Sequence, residues 1–458
     1  MIPDPYDIAI VGAGVVGAAL ARELSGFDLR CLLLDAAPDV GTGTTKANTA
    51  ILHTGFDATP GSLEARLVRR GYALLGEYAE RTGIAVERTG ALLVAWDDDQ
   101  LAALPGLAEK ARHNGYTAIR SLRADELYAR EPHLGPGARG GLEVPDESIV
   151  CPWTTPLAYA TEALAGGVEL RLATRMTGVE TGPEEHLLRT SGGPIRARWL
   201  VNAAGLGSDL VDRMLGHEDF TITPRRGELI VFDKLARSLV SSILLPVPTA
   251  RGKGVLVAPT VYGNVLLGPT ADDVGDRTDT ATTAAGLAGL REKGRRILPE
   301  LLDEEVTATY AGLRAATEHA DYRIRVHADQ RYAVAGGIRS TGLSASMAIA
   351  EHLVELLEDA GLKLVPTARP EPPRMPALGE ATPRPYQDAD RIAADPAYGA
   401  IVCHCERVTA GELRDALASP LPPAELDGLR RRTRAMNGRC QGFWCGAEVT
   451  RLFEGRQR

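Results

Sequence analysis

The stretch Tyr6-Asp7-Ile8-Ala9-Ile10-Val11-Gly12-Ala13-Gly14-Val15-Val16-Gly17 decides the fold. A short apolar run, cut by glycine and followed by small residues, reads as a buried strand over Tyr6 to Val11 and a helix over Val15 to Ser25. Cys31 to Leu34 reads as a second buried strand ending at Asp35. This is the opening βαβ unit of a dinucleotide-binding fold. Gly12 permits the tight turn, Gly14 lets backbone approach a pyrophosphate, Gly17 lets helix and strand pack closely, and Asp35 is placed to accept a ribose hydroxyl. The loop by itself serves FAD and NAD equally. A second glycine-bearing turn, Gly336 to Ser344, opens another helix. There Gly337, Ile338, Thr341, Gly342 and Leu343 would bring a helix N-terminus to the pyrimidine edge of an isoalloxazine, where negative charge gathers on reduction. That arrangement favours FAD.

Between these loops the pattern changes. Val168 to Val201 alternates short apolar runs with turn residues and closes on Trp199-Leu200-Val201-Asn202-Ala203-Ala204-Gly205, as an antiparallel excursion returning to a parallel sheet would. Pro224 to Pro269 is strand-rich, with strands expected over Glu228 to Phe232, Gly254 to Val257 and Val265 to Leu267. Ala284 to Ile297 has helical periodicity. Tyr332 to Gly336 reads as a final strand before the helix Ser344 to Leu357. Pro366 to Pro385 is proline-rich, polar and aperiodic, the signature of a semi-rigid linker to an independent unit.

Of six cysteines, four fall in that unit: Cys403, Cys405, Cys440 and Cys445. Four thiolates saturate an iron–sulfur cluster or a zinc ion. The tight Cys403-x-Cys405 pair suits zinc ribbons poorly, which favours a [2Fe-2S] cluster over structural zinc or free thiols. Cys31 and Cys151 read as core residues. Helices are expected over Ala410 to Ala418 and Leu426 to Met436. The basic run Arg430-Arg431-Arg432 reads as either a solvated helix face or a docking patch for an acidic partner.

The 458 residues carry 24% charged and 44% hydrophobic side chains and a net charge of -9, a globular composition without the basic face that a nucleic acid requires. The first strand starts too early to leave room for a secretory leader, and no apolar run reaches membrane-spanning length. The expected location is cytoplasmic, with possible peripheral attachment at the inner face of the cell membrane through a partner.

The loop Thr45-Lys46-Ala47-Asn48-Thr49-Ala50-Ile51-Leu52-His53-Thr54-Gly55, together with Pro60-Gly61-Ser62-Leu63, Asn202-Ala203-Ala204-Gly205, Pro224-Arg225-Arg226-Gly227-Glu228 and Ala311-Gly312-Leu313-Arg314, resembles the D-amino-acid oxidase superfamily of flavoproteins. Within it, Gly252-Lys253-Gly254-Val255-Leu256-Val257 and Leu266-Leu267-Gly268-Pro269-Thr270 look most like the catalytic subunits of anaerobic glycerol-3-phosphate dehydrogenases. Gly438-Arg439-Cys440-Gln441-Gly442-Phe443-Trp444-Cys445 resembles the bacterioferritin-associated-ferredoxin-like [2Fe-2S] domain that those subunits carry. The resemblance implies an α/β fold. Its FAD-binding Rossmann-like domain would comprise residues 1–80, 150–212 and 330–362, interleaved with a sheet-rich substrate domain of residues 81–149 and 213–329. A linker at 363–394 and a small helical [2Fe-2S] domain at 395–458 would follow.

It also implies the chemistry: hydride transfer from a carbinol or amine carbon to flavin N5, with electrons leaving through the cluster to a protein subunit or quinone. Thr45, Asn48, Ala204 and Gly205 join the cofactor-binding set. Arg314 matches the position that grips the substrate anion, since a guanidinium fork suits phosphate or carboxylate. His53, in the loop reaching the flavin ring, has the ordinary pKa to remove a hydroxyl proton. Lys253 and Arg226 would add positive charge. Two departures bear on the substrate: Ala315 follows Arg314 where relatives often have proline, and Gly55-Phe56-Asp57 lacks an arginine that membrane-bound relatives place there. A 2-hydroxy acid such as 2-hydroxyglutarate, or an amine or amino acid, is the alternative to sn-glycerol 3-phosphate. A third reading is an electron-transfer subunit with no substrate of its own.

Overall fold

The computed structural model describes residues 4–248 and 254–455. Its nucleotide half is an eight-stranded sheet whose parallel core runs Glu169–Arg171, Cys31–Leu34, Tyr6–Val11, Ile195–Asn202 and Tyr332–Gly336. Helices Val15–Leu24 and Gly342–Asp359 pack against each other on one face, and Val15–Leu24 also packs against Thr154–Ala165. Both faces of the first strands are covered, which explains why they read as continuous apolar runs. Along Ile195–Asn202 the outer edge is shared: its first residues pair antiparallel with His186–Thr190 and its last residues pair parallel with Tyr332–Gly336. The antiparallel excursion thus sits where the sequence alternation suggests.

Two glycines fix this geometry. Gly12 has φ +110°, and a Cβ there would stand 2.4 Å from the Ala203 carbonyl oxygen. A Cβ on Gly17 would stand 1.8 Å from the Gly12 carbonyl oxygen. Strand, turn, helix and the Ala203 segment therefore meet at contact distance.

The second sheet has nine strands and is built around Thr223–Phe232, which pairs along its length with Val306–Ala316. Its other strands come from residues 91–95, 120–123, 140–144, 243–246, 256–259, 265–268 and 272–273. A three-stranded sheet, Ile51–Leu52, Ser148–Val150 and Val86–Glu87, lies between the two large ones in sequence connection.

The proline-rich segment is a strap and not a free spacer. Thr367 N–H donates to Gly26 O at 2.8 Å, Met375 N–H to Thr82 O at 2.7 Å and Glu380 N–H to Val261 O at 2.9 Å, while Leu378 is buried in the main core. Scattered apolar residues without periodicity pin it at separate points, which a periodicity test does not register.

The C-terminal unit has helices Ala410–Leu417, Leu426–Thr433 and Gly446–Gly455 around its own small core of Val408, Leu413, Leu429 and Val449. The second helix stops at Thr433 because Arg434 takes the left-handed conformation, φ +74°. Arg431 and Arg432 settle the question of the basic run. Their guanidinium groups are buried on Asp39 of the nucleotide half, Arg431 at 2.8 Å and Arg432 at 2.6 and 2.8 Å, so the acidic partner is the same chain. Burial alone would raise the Asp39 pKa, but the bonds and charges of Arg432 and Arg431 outweigh it and hold the carboxyl below its ordinary 3.8.

Two outcomes follow for this architecture. Gly17→Ala should cost about 3 kcal/mol through overpacking and yield protein that loses flavin colour on gel filtration. Because the folded Asp39 pKa is depressed, its contribution is complete above the unfolded value of 3.8 and is lost as pH falls through the folded value. The radius of gyration in small-angle scattering should therefore stay constant from about pH 8 to about pH 5 and rise only in stronger acid.

Candidate active site and cysteine centre

The nucleotide cradle is assembled from four segments. Gly14 begins the helix, and a Cβ there would meet only Thr45 Oγ1 at 3.4 Å, so the space in front of the helix N-terminus is left to a ligand. Thr45 Oγ1 accepts from Val15 N–H at 3.1 Å. Asp35 accepts from Ala13 N–H at 2.6 Å and from Ala37 N–H at 2.8 Å, which fixes the carboxylate at the end of its strand. Burial raises its pKa, and the two amide donors only partly offset that. On the opposite side Ala204 N–H donates to the Asn202 side chain at 3.2 Å, and Gly205 takes φ +55°. Gly337 takes φ +63°, after which Ile338, Thr341, Gly342 and Leu343 lead into the helix Gly342–Asp359. The Thr341 hydroxyl is bonded to Tyr322 at 2.5 Å and Glu64 at 2.6 Å. These features fit a bound FAD.

Asn48 shapes the flavin loop from within. Its Nδ2 donates to Thr45 O at 2.8 Å and its Oδ1 accepts from Ala50 N–H at 2.7 Å, supporting a left-handed Ala50. The loop rests on the strand Val306–Ala316: Tyr310 OH donates to Asn48 O at 2.7 Å, Thr44 Oγ1 donates to Leu313 O at 2.7 Å, and a Cβ on Gly312 would stand 2.0 Å from Ala47 O. Alternate residues of a strand share a face, so Tyr310, Gly312 and Arg314 all lie on the side that meets this loop.

Arg314 is a cation with no counter-ion among the described residues. Neighbouring Arg225 pairs with Asp273 at 2.7 Å and Arg226 with Asp279 at 2.9 Å, whereas Arg314 has no carboxylate partner among the described residues and donates only to Thr270 O at 3.3 Å. A Cβ on Gly227 would fall 2.7 Å from Arg314 Nη2, so the cross-strand glycine makes the room that the guanidinium fills. Burial, with the Arg225 charge behind it, lowers the Arg314 pKa. A half-buried, unpaired guanidinium is a receptor for an anion. Arg226 is committed to Asp279, and Lys253 lies outside the described residues.

Among the described residues, His53 is bonded to Ser344 and Glu147. Its backbone N–H donates to Ser344 Oγ at 2.8 Å, and its Nδ1 lies 3.0 Å from Glu147 Oε2. Glu147 is fully buried, and its other oxygen accepts from the Thr54 N–H at 2.7 Å and hydroxyl at 2.9 Å. A carboxylate on Nδ1 fixes the ring's orientation and tautomer. Sequence reading misses Glu147 because it sits 94 positions away, in the turn Pro145-Asp146-Glu147, with no local pattern to mark it.

The four cysteines gather at the other end of the chain. Cys403 ends the strand Ile401–Cys403, and Cys440 and Cys445 flank a loop that leads into the last helix. The thiols associate in two pairs, Cys403 with Cys445 and Cys405 with Cys440, and each pair feels the charge of the other. The N–H groups of Trp444, Gly442 and Phe443 face the Cys440 sulfur and favour its thiolate, while burial pushes Cys445 up to about 12. Two pairs with backbone donors fit a two-iron cluster. Phe443 and Trp444, between the ligands, are 92% and 72% exposed.

Comparison with known proteins agrees with both centres. Residues 7–356 match the FAD dependent oxidoreductase (DAO) model and residues 401–454 match the BFD-like [2Fe-2S] binding domain. The chain belongs to the DAO family of FAD-dependent oxidoreductases, with FAD as cofactor and an appended [2Fe-2S] domain. Among its relatives is a glycerol 3-phosphate dehydrogenase of Caloramator mitchellensis, 34% identical over 451 residues that cover 98% of this chain and 94% of that one. A human mitochondrial L-2-hydroxyglutarate dehydrogenase is 30% identical over 58% of this chain and 61% of its own length. Among solved structures, the dithionite-reduced L-alpha-glycerophosphate oxidase of Mycoplasma pneumoniae with FAD bound superposes with a TM-score of 0.77 at 28% identity, over 81% of this chain and 98% of that one.

If Glu147 orients His53, Glu147→Gln should lower kcat on the order of 10²-fold with little change in KM. The double variant with His53→Ala should be no slower than His53→Ala alone, as steady-state kinetics of the four proteins will show. Cys440→Ser should leave the flavin absorbance intact and abolish the electron paramagnetic resonance signal of the reduced cluster.

Proposed function

We propose that the chain oxidises sn-glycerol 3-phosphate to dihydroxyacetone phosphate and releases the electrons through its cysteine centre to an acceptor protein or quinone. The observation that carries this reading is Arg314, an unpaired guanidinium on the strand face that meets the flavin loop. The near full-length relationship to a glycerol 3-phosphate dehydrogenase supports it. Bound FAD supplies a hydride acceptor at N5, and the [2Fe-2S] cluster supplies a one-electron relay.

Arg314 binds the phosphate and orients the carbinol. His53 Nε2 accepts the C2 hydroxyl proton as hydride leaves C2, and Glu147 steadies the positive charge that the ring then carries. Ser344 ties the His53 backbone to the helix Gly342–Asp359, whose N-terminal residues would hold the flavin, so base and cofactor would keep one geometry. A 2-hydroxy acid is the second reading: one guanidinium satisfies a carboxylate bidentately, whereas a phosphomonoester profits from further cations. No helix among the described residues is long and apolar enough to cross a membrane. Attachment at the inner membrane face would then come through the electron-accepting partner.

Glycerol 3-phosphate added to the anaerobic enzyme should bleach the oxidised flavin band, with 2-hydroxyglutarate, glycine and proline as comparison substrates. An unchanged spectrum with glycerol 3-phosphate and bleaching by 2-hydroxyglutarate would transfer the assignment to the second reading. Arg314→Ala should raise KM on the order of 10²-fold, matching about 3 kcal/mol for a lost charge-assisted contact, while glycerol without phosphate should be indifferent to the substitution.

A further inference from the structure

The cysteine module meets the flavin-binding half along a seam whose centre is Arg434. This residue is 6% exposed and takes the left-handed backbone that non-glycine residues rarely adopt. Its side chain accounts for the conformation. Nε donates to Glu406 Oε2 at 3.2 Å, Nη2 donates to Asn264 Oδ1 at 3.1 Å, and the guanidinium carbon stands 4.2 Å from the Tyr262 ring centre and 5.5 Å from that of Trp153. Trp153 and Tyr262 are themselves stacked, with centroids 5.0 Å apart and planes 21° from parallel. A cation desolvated against two aromatic faces is strongly held.

Each end of this stack reaches a segment that would hold a cofactor. On one side the Trp153 indole N–H donates to Lys46 O at 3.1 Å, in the flavin loop between Thr45 and Asn48. On the other, Glu406 adjoins Cys405 in sequence, and Arg434 lies two residues before Met436, whose N–H faces the Cys445 sulfur. Flavin loop and cysteine loop are thus joined by hydrogen bonds, ring contacts and short covalent runs. Electron tunnelling falls off least steeply through such matter and most steeply across open or solvent-filled gaps. The seam is also clamped: Asp39, four residues beyond Asp35, holds Arg431 and Arg432 on the same helix that ends at Arg434.

We propose that electrons cross from flavin to cluster at the Trp153–Tyr262–Arg434 stack, and that the Asp39 clasp is a positioning device that keeps this crossing closed during turnover. The inference rests on the reading that reducing equivalents leave through the cluster. Each crossing oxidises the flavin by one electron and reduces one ferric ion of the cluster to ferrous, with no atom transferred. Two crossings, with the external acceptor reoxidising the cluster between them and one proton released from the reduced flavin, discharge one hydride. The buried Arg434 charge favours the reduced, more negative cluster.

The test uses the full-length holoenzyme under anaerobic conditions. A laser flash with 5-deazaflavin reduces the flavin without any substrate, and subsequent cluster reduction is followed by absorbance. Trp153→Leu should slow that second phase at least tenfold while FAD content, iron content, the cluster's paramagnetic resonance spectrum and flavin bleaching by glycerol 3-phosphate stay as in the wild type. Trp153→Phe keeps the ring stack and removes only the indole N–H, so it should slow transfer less than Trp153→Leu. Asp39→Asn should slow transfer, and Arg434→Met should lower the cluster's midpoint potential.

Wild-type transfer rates in Trp153→Leu with both cofactors present would overturn the seam. Equal slowing by Phe and Leu would overturn the role of the rings. A wild-type flavin that is reduced by the flash yet never reduces the cluster would overturn the exit route itself. Failure of glycerol 3-phosphate to bleach the flavin would strike only the substrate assignment, since the flash bypasses it.

Discussion

Everything in the molecule depends on the contact at Gly12. With the Ala203 carbonyl 2.4 Å from where a side chain would begin, and Gly17 closed over the Gly12 carbonyl, the first strand, first helix and the Asn202–Gly205 turn form one rigid corner. Such close packing leaves no adjustable part. The chain leaving that corner passes Asp35 and Asp39 and then must run as the loop Thr44–His53 between the nucleotide sheet and the strand Val306–Ala316. A single segment therefore carries the candidate ribose ligand Asp35, the module clasp Asp39, the candidate cofactor loop and the candidate base in that order.

The second sheet answers this loop with complementary chemistry. Gly312 is small because Ala47 O lies against it, and Gly227 is small because the Arg314 guanidinium lies against it. Two glycines on paired strands thus serve opposite purposes: one lets backbone approach, the other opens space for a cation. Leaving Arg314 unpaired is costly in a half-buried setting, whereas its neighbours Arg225 and Arg226 are both satisfied by aspartates. Retained electrostatic strain of this kind, beside a histidine held by a buried glutamate, fits the candidate site for a negative ligand.

Local physics was legible in the sequence and long-range pairing was not. The Gly12 turn, the buried strands, the helix Ala284–Ile297 and the grouping of the four cysteines each follow from spacing within a few residues, and the structure has them where that spacing puts them. The chain identity of the acidic partner for Arg431 and Arg432 was invisible, because the bond joins positions 393 apart. Glu147 was invisible for the same reason. The proline-rich strap misled in a different way: prolines exclude regular structure, but they do not prevent isolated backbone bonds and a buried Leu378 from fixing the segment. Arg226 is a case where residue type suggested a ligand and the fold supplied Asp279.

The buried clasp also bears on how the two halves work together. A carboxylate shared by two guanidinium groups gains little net stability over an apolar contact of equal size, because both charges must be desolvated first. Its geometry, however, tolerates few alternatives: two bidentate-capable forks on one small anion define a single docking pose, where an apolar patch would allow sliding. Arg439 on Asp233, Lys234 on both Glu380 and Glu406, and the strap bonds to Gly26, Thr82 and Val261 fix the same pose from other directions. A module that had to swing between donor and acceptor would need these contacts to break at each turnover. Their number and burial instead describe a cysteine centre seated on the flavin half, with Phe443 and Trp444 left exposed.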